Sequence, residues 1–183
     1  HSDHRRQRQM CIRDRCQLYP NAAPSMLVYS FFQLWDAWQW STPVMLTPIV
    51  DEGHGLRVWD ERVNKAERFQ LMKIITPAYP AQNSTFNVTH STLHVLKNEF
   101  KRGREVCAEI LMSKKRWESL WEPLPFFTMH KHYLQVTIAA VSEDDSKKWA
   151  GWVHSRLSML VQGVETCSGG ALVAHPYPEK KKD

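Results

Sequence analysis

The chain has 183 residues, room for one domain or for one domain and part of a second. With 43% hydrophobic residues and eight tryptophans it can fill a substantial core, yet it holds no run of about 18 apolar residues to span a membrane. Its formal charge of +5 is concentrated at the ends, with +3 in residues 1–15, +1 in 176–183 and only +1 in 16–175. A basic total of that kind is a solvated surface and does not by itself indicate nucleic acid.

Residues 1–15 are rich in Arg and Gln and have no apolar segment of the signal-peptide type. They read as a non-native or disordered leader, with a basic RNA-contacting arm as the functional alternative. Pro24 to Trp38 then reads as a helix. Pro24 suits the first turn, and Leu27, Phe31, Leu34, Trp35 and Trp38 recur every three or four residues. Such an aromatic stripe is expected to be core rather than a base-stacking platform. Pro43, Pro48, Gly53 and Gly55 punctuate a loop from Trp40 to Gly55. In Ile74-Ile75-Thr76-Pro77-Ala78-Tyr79-Pro80 the prolines remove donors and force extended geometry, so the segment is expected to lie against a core as a stiff brace.

Thr89 to Leu111 is the longest predicted helix, capped by Thr89 or Ser91. Gly103 falls on its apolar stripe and allows a close helix approach. Ser113 is expected to cap a short helix ending at Trp121, with Trp117, Leu120 and Trp121 inward. Pro123-Leu124-Pro125 marks a boundary. Beyond it the period changes from 3.6 to 2, and His132 to Val141 reads as a strand. Ser142-Glu143-Asp144-Asp145 resembles a capping box. The helix that follows aligns Trp149, Trp152, Val153, Arg156, Leu157, Leu160 and Val161 on one face, and Ala171 to His175 reads as a second strand.

The four cysteines, Cys11, Cys16, Cys107 and Cys167, have no metal or disulfide spacing. Cys107 reads as core. His130-Lys131-His132 supplies two imidazoles without a third ligand, weak support for a metal. Asn83-Ser84-Thr85 and Asn87-Val88-Thr89 match the glycosylation sequon and are taken as coincidental.

Trp59-Asp60, Met72, Ile74 to Pro80 and Asn83-Ser84-Thr85-Phe86-Asn87-Val88 together resemble the middle domain of eukaryotic nuclear poly(A) polymerases, which reads W-D-P-R-x-N-P, M-P-I-I-T-P-A-Y-P and N-S-T-Y-N-V. The resemblance runs from about Cys16 to about Pro176. Glu61, Lys65 and Lys73 replace family prolines, which is expected to loosen the loop. The family has an apolar helix with Gly-Gly just before Cys16, which residues 1–15 lack.

The resemblance implies a mainly α chain: a helical middle-domain bundle over residues 16–123, then the incomplete β-α-β start of an RRM-like α/β RNA-binding domain over 124–183. Both are expected to be truncated, leaving an apolar sheet face or strand edge exposed. The implied reaction is AMP transfer from ATP to an mRNA 3′ end, with Mg2+ or Mn2+ held by carboxylates after a Gly-Ser motif, two of them as D-x-D. No such pattern stands in this sequence; Glu143-x-Asp145 is better explained as a helix start. The chain alone is therefore expected to have no catalytic residues and no cofactor of its own. RNA contact could survive. The family's RNA-contacting Asn falls on Asn87, and its basic contact in the last helix falls on Ser158, which has lost the charge. Arg156 is retained on the apolar stripe and is expected to be a partly buried stem. Further implied are a nuclear, monomeric enzyme working with the cleavage and polyadenylation machinery. A non-catalytic RNA-binding or protein-interaction module is the alternative.

Overall fold

The structure, a computed structural model, describes residues 20–177. The expected leader lies outside that range. Among the described residues five helices and a 3₁₀ turn follow in order: α1 (Pro24–Ala37), α2 (Lys65–Arg68), α3 (His90–Leu111), the 3₁₀ turn (Trp117–Trp121), α4 (Phe126–Met129) and α5 (Glu143–Cys167). The chain is mainly α, as its sequence implies. It divides into two compact units. Of the described residues, one takes those up to Thr89 and Leu93–Leu120; the other takes His90–Thr92 and those from Trp121 onward.

In the first unit, α1 starts with Pro24 at its first position and its aromatic stripe is core. Trp35, Trp40, Val44, Met72 and Ile74 are buried together, with Phe31 and Phe100 packed against them. Trp40 stacks on Trp35 at 5.3 Å and on Phe100 at 5.9 Å between ring centroids, so the rings contribute packing and are not available to bases. A second cluster joins Val106, Cys107, Ile110 and Leu120 to Val28, Tyr29 and Phe32. Burial pushes the Cys107 thiol pKa up, so it behaves as a small core side chain. Gly103 has the expected role: a Cβ there would come within 2.3 Å of the Phe32 ring, so α1 and α3 approach closely only because it is glycine. Arg104 on α3 binds Asp36 on α1 at 2.6 Å across the same pair.

Ser113 does not cap the next helix; it ends α3. Its φ is 59°. Its N–H donates to the Ile110 carbonyl and the Lys114 N–H to the Glu109 carbonyl, both at 2.9 Å. That is a Schellman ending with serine in the left-handed position usually taken by glycine. The turn that follows is 3₁₀ and begins only at Trp117. Its Leu120 is buried, but Trp117 faces solvent in part and Trp121 is 75% exposed, contrary to the inward orientation expected for both. Three residues per turn cannot keep the one-face alignment of an α-helix.

The second unit corrects the β-α-β expectation. The helix is present: Ser142 Oγ accepts from the Asp145 N–H at 3.1 Å, and Gly169 and Gly170 end α5 with the same Schellman pattern. The strands are not. His132–Val141 and Ala171–His175 form no ladder, and the bridges among the described residues are isolated ones, Val44 with Ile74 and Ile75 with Asn83. Alternating sequence supplies a face, but a strand exists only where another chain segment meets its N–H and C=O groups. Apolar side chains are left open here, among them Leu134, Val136, Trp149, Trp152, Leu160 and Val173. Of the α5 face, Val161 is buried while Val153 and Leu157 are half-buried.

Candidate nucleic-acid interface

Between Arg57 and Val88 the chain is cross-linked by buried polar groups. Glu67 is buried and its carboxylate accepts from Arg57 at 2.7 Å, the Asp60 N–H at 2.7 Å and Asn64 Nδ2 at 3.0 Å. Gln70 Oε1 takes both the Trp59 indole N–H at 3.0 Å and an Asn83 amide hydrogen at 2.8 Å. Asn83 is 5% exposed and its amide is saturated. Its Oδ1 accepts from the Ile74 N–H and the Thr85 N–H, both at 3.0 Å, and its Nδ2 also donates to the Met72 carbonyl at 2.8 Å. A buried amide with every bond made specifies one local conformation. Burial also removes Asn83 as a glycosylation acceptor in the folded chain.

Two residues at positions where the resemblance implies proline meet within this network. Lys73 and Glu61, both at family-proline positions, bind each other at 2.5 Å, with the Lys73 side chain only 6% exposed. Lys65, the third, is the first residue of α2, a position where proline or another residue serves equally because the missing donor has no intrahelical partner.

This network ends in the turn that carries Asn87. Ser84 N–H donates to the Ile74 carbonyl at 2.9 Å and Val88 N–H to the Thr85 carbonyl at 3.1 Å. Asn87 lies in the turn, exposed, two residues before Thr89, which immediately precedes α3. Ser91 is inside the first turn of α3 rather than its cap. Its N–H donates to Glu165 Oε1 at 2.7 Å and its hydroxyl accepts from the Ala174 N–H at 3.0 Å. Phe86, beside Asn87, is 62% exposed. In the sequence Phe86 stands only as one residue of the Asn-Ser-Thr-Phe-Asn-Val motif, and its place off any helical or strand period is the signal for it.

Arg156 and Ser158 lie on α5, in the other unit, and both are exposed. The buried stem expected for Arg156 is replaced by a stacked one. Its guanidinium carbon lies 3.9 Å from the centroid of the Trp152 ring, a cation–π contact on the helix surface. The charge remains accessible to a phosphate from its open side. Ser158 offers a neutral hydroxyl.

Among the described residues no group of three His, Cys, Asp or Glu side chains could hold a metal ion. His130 Nε2 instead faces His175 Nδ1 at 3.2 Å, and His132 is exposed.

A sequence model of the Poly(A) polymerase central domain matches residues 8–123, and one of the Poly(A) polymerase predicted RNA binding domain matches residues 125–183. The chain belongs to the poly(A) polymerase family. It is 46% identical over 168 residues to Nuclear poly(A) polymerase 4 of Arabidopsis thaliana, covering 92% of this chain and 23% of that relative. With Nuclear poly(A) polymerase 2 of the same plant the identity is 45%, over 92% of this chain and 21% of the relative. The Poly(A) polymerase of Dictyostelium discoideum is 41% identical over 90% of this chain and 20% of its own length. The chain therefore spans about a fifth to a quarter of the curated relatives it matches.

Proposed function

We propose that the chain is the central and RNA-binding part of a nuclear, template-independent poly(A) polymerase that adds AMP from ATP to mRNA 3′ ends. The observation that carries this is the exposed Asn87 on a turn fixed from beneath by the saturated Asn83, in a chain matched by both family domains in order. Asn87 contacts the RNA strand, since its amide can donate and accept to a phosphate, ribose or base edge. Arg156 adds a phosphate contact, and Ser158 at most a neutral one. The middle region links the catalytic and RNA-binding domains, and its stiff Ile74–Pro80 brace transmits closure over ATP and RNA.

These residues do not fit the metal and nucleotide site. The sequence has no Gly-Ser followed by D-x-D, so ATP and Mg2+ or Mn2+ belong to the rest of the full-length enzyme, and the 183 residues alone do not transfer adenylate. The intact enzyme acts as a monomer within the cleavage and polyadenylation machinery. A second reading, a protein-interaction module, is favoured by the open apolar side chains of the second unit.

The test is titration of the chain with fluorescent oligo(A), alongside an assay of AMP incorporation with ATP and Mg2+ or Mn2+. Oligo(A) binding that falls with salt, with Asn87→Ala weakening it roughly threefold to tenfold, is expected, for one neutral hydrogen bond of about 0.5–1.5 kcal/mol. An absence of RNA binding overturns the RNA-contact reading; AMP incorporation by the chain overturns the assignment of catalysis to the missing part.

A further inference from the structure

Phe86 sits between two residues with defined places and takes no part in the packing. Thr85 is buried, its hydroxyl donating to the Met72 carbonyl at 2.9 Å, and Asn87 is open to solvent. Phe86 belongs to none of the three apolar clusters. The ring is 62% exposed on a polar turn, next to the exposed amide of Asn87, so an aromatic face and a hydrogen-bonding group are offered side by side. The backbone beneath it is held on both sides: Thr85 N–H on Asn83 Oδ1 at 3.0 Å, Ser84 Oγ on the Ile74 carbonyl at 2.9 Å, and Val88 N–H on the Thr85 carbonyl at 3.1 Å. A partner meeting this ring orders little more than its two side-chain torsions, so the loss of freedom on contact is small.

We propose that Phe86 is an RNA-stacking residue, whose ring takes the face of an unpaired base of single-stranded RNA while Asn87 hydrogen-bonds the same or the adjoining nucleotide. The inference rests on the reading of Asn87 as an RNA contact and extends it to a second residue and a second kind of force. Every base has a π face, so the ring supplies affinity without sequence choice; the amide beside it supplies orientation. Both side chains are neutral. Their contribution is therefore independent of counterion release and separable from that of Arg156.

The test uses the 183-residue chain, an oligo(A) probe carrying 2-aminopurine at successive positions, and the variants Phe86→Ala, Phe86→Trp and Asn87→Ala. Phe86→Ala is expected to weaken binding roughly fivefold to a hundredfold, the range for loss of one base–aromatic stack, with the salt slope unchanged. It also removes the 2-aminopurine signal at one probe position, which Phe86→Trp restores. Asn87→Ala weakens binding and keeps that signal. If Phe86→Ala binds like the parent chain while Asn87→Ala does not, stacking is wrong and the Asn87 reading stands. If neither variant binds differently, or if the parent chain does not bind the probe, both fall. A Phe86→Ala chain whose urea midpoint drops in step with its affinity has lost a packing residue, and the proposal is overturned; a ring that serves a protein partner gives no change in RNA binding at all.

Discussion

The Arg57–Thr85 loop and the His132–Tyr177 region reverse what their compositions suggest. The first is polar, irregular and lacks three family prolines, yet Glu67, Asn83 and the Lys73–Glu61 pair tie it down in its interior. The second contains a well-capped 25-residue helix and two alternating apolar segments, yet those segments find no ladder and leave Leu134 72% exposed. Order here follows from satisfied partners rather than from hydrophobic content. A buried amide with all its bonds made has one low-energy arrangement, whereas an apolar face without a cover has many.

The comparison breaks most sharply at Asn83. Asn83→Ala orphans the buried Thr85 N–H and leaves the Ile74 N–H and the Met72 carbonyl with Thr85 Oγ1 alone, and a loss of about 2–4 kcal/mol is expected in urea unfolding, one orphaned group at about 1–3 kcal/mol and two weakened ones at about 0.5 kcal/mol each. An unfolding midpoint like that of the parent would show that the loop is held by its apolar contacts instead. Gly103→Ala comes next. Helix propensity favours alanine by about 1 kcal/mol, but the methyl meets the Phe32 ring at 2.3 Å and overpacking costs about 1–3 kcal/mol. Since Phe31 lies edge-on against Phe32 at 5.2 Å, the ring has little freedom to move, and the net change is a lower thermal midpoint.

Lys73→Met should cost about 1–2 kcal/mol by leaving Glu61 without its partner, and Glu61→Gln in the same chain should recover part of it in a double-mutant cycle. Additive effects would mean the pair does not replace the prolines. In the second region Leu134→Ser should change stability by no more than about 0.5 kcal/mol, since a residue this exposed has little burial to lose. A larger loss would show that the segment packs in solution. The smallest effect concerns acid. The Arg62 N–H, donating to Asp60 Oδ1 at 2.8 Å, holds the Asp60 carboxyl below its usual pKa. A carboxylate with a depressed folded pKa contributes stability that is present above its unfolded value of about 4 and is lost as pH falls through the folded one. Asp60→Asn keeps an acceptor and removes the titration, so the acid limb of a stability–pH curve should flatten slightly below about pH 4.

Much was determined by the sequence alone. The 3.6-residue spacing of Phe31, Leu34, Trp35 and Trp38 places a helix and its core face, because a periodic stripe can be buried in only one way. Pro24, Ser142 and the paired Gly169 and Gly170 set helix ends through local backbone chemistry. The order of the proline and Asn motifs identifies the family. What the tertiary structure decided concerns partners distant in the chain. That Glu61 and Lys73 answer each other, that Asn83 is an internal clasp while Asn87 is open, and that Arg156 lies on Trp152 are not visible in any local pattern. Nor is the absence of a ladder at Leu134 and Val136: alternation states which side chains share a face, and only a neighbouring segment supplies the hydrogen bonds that make the face a sheet.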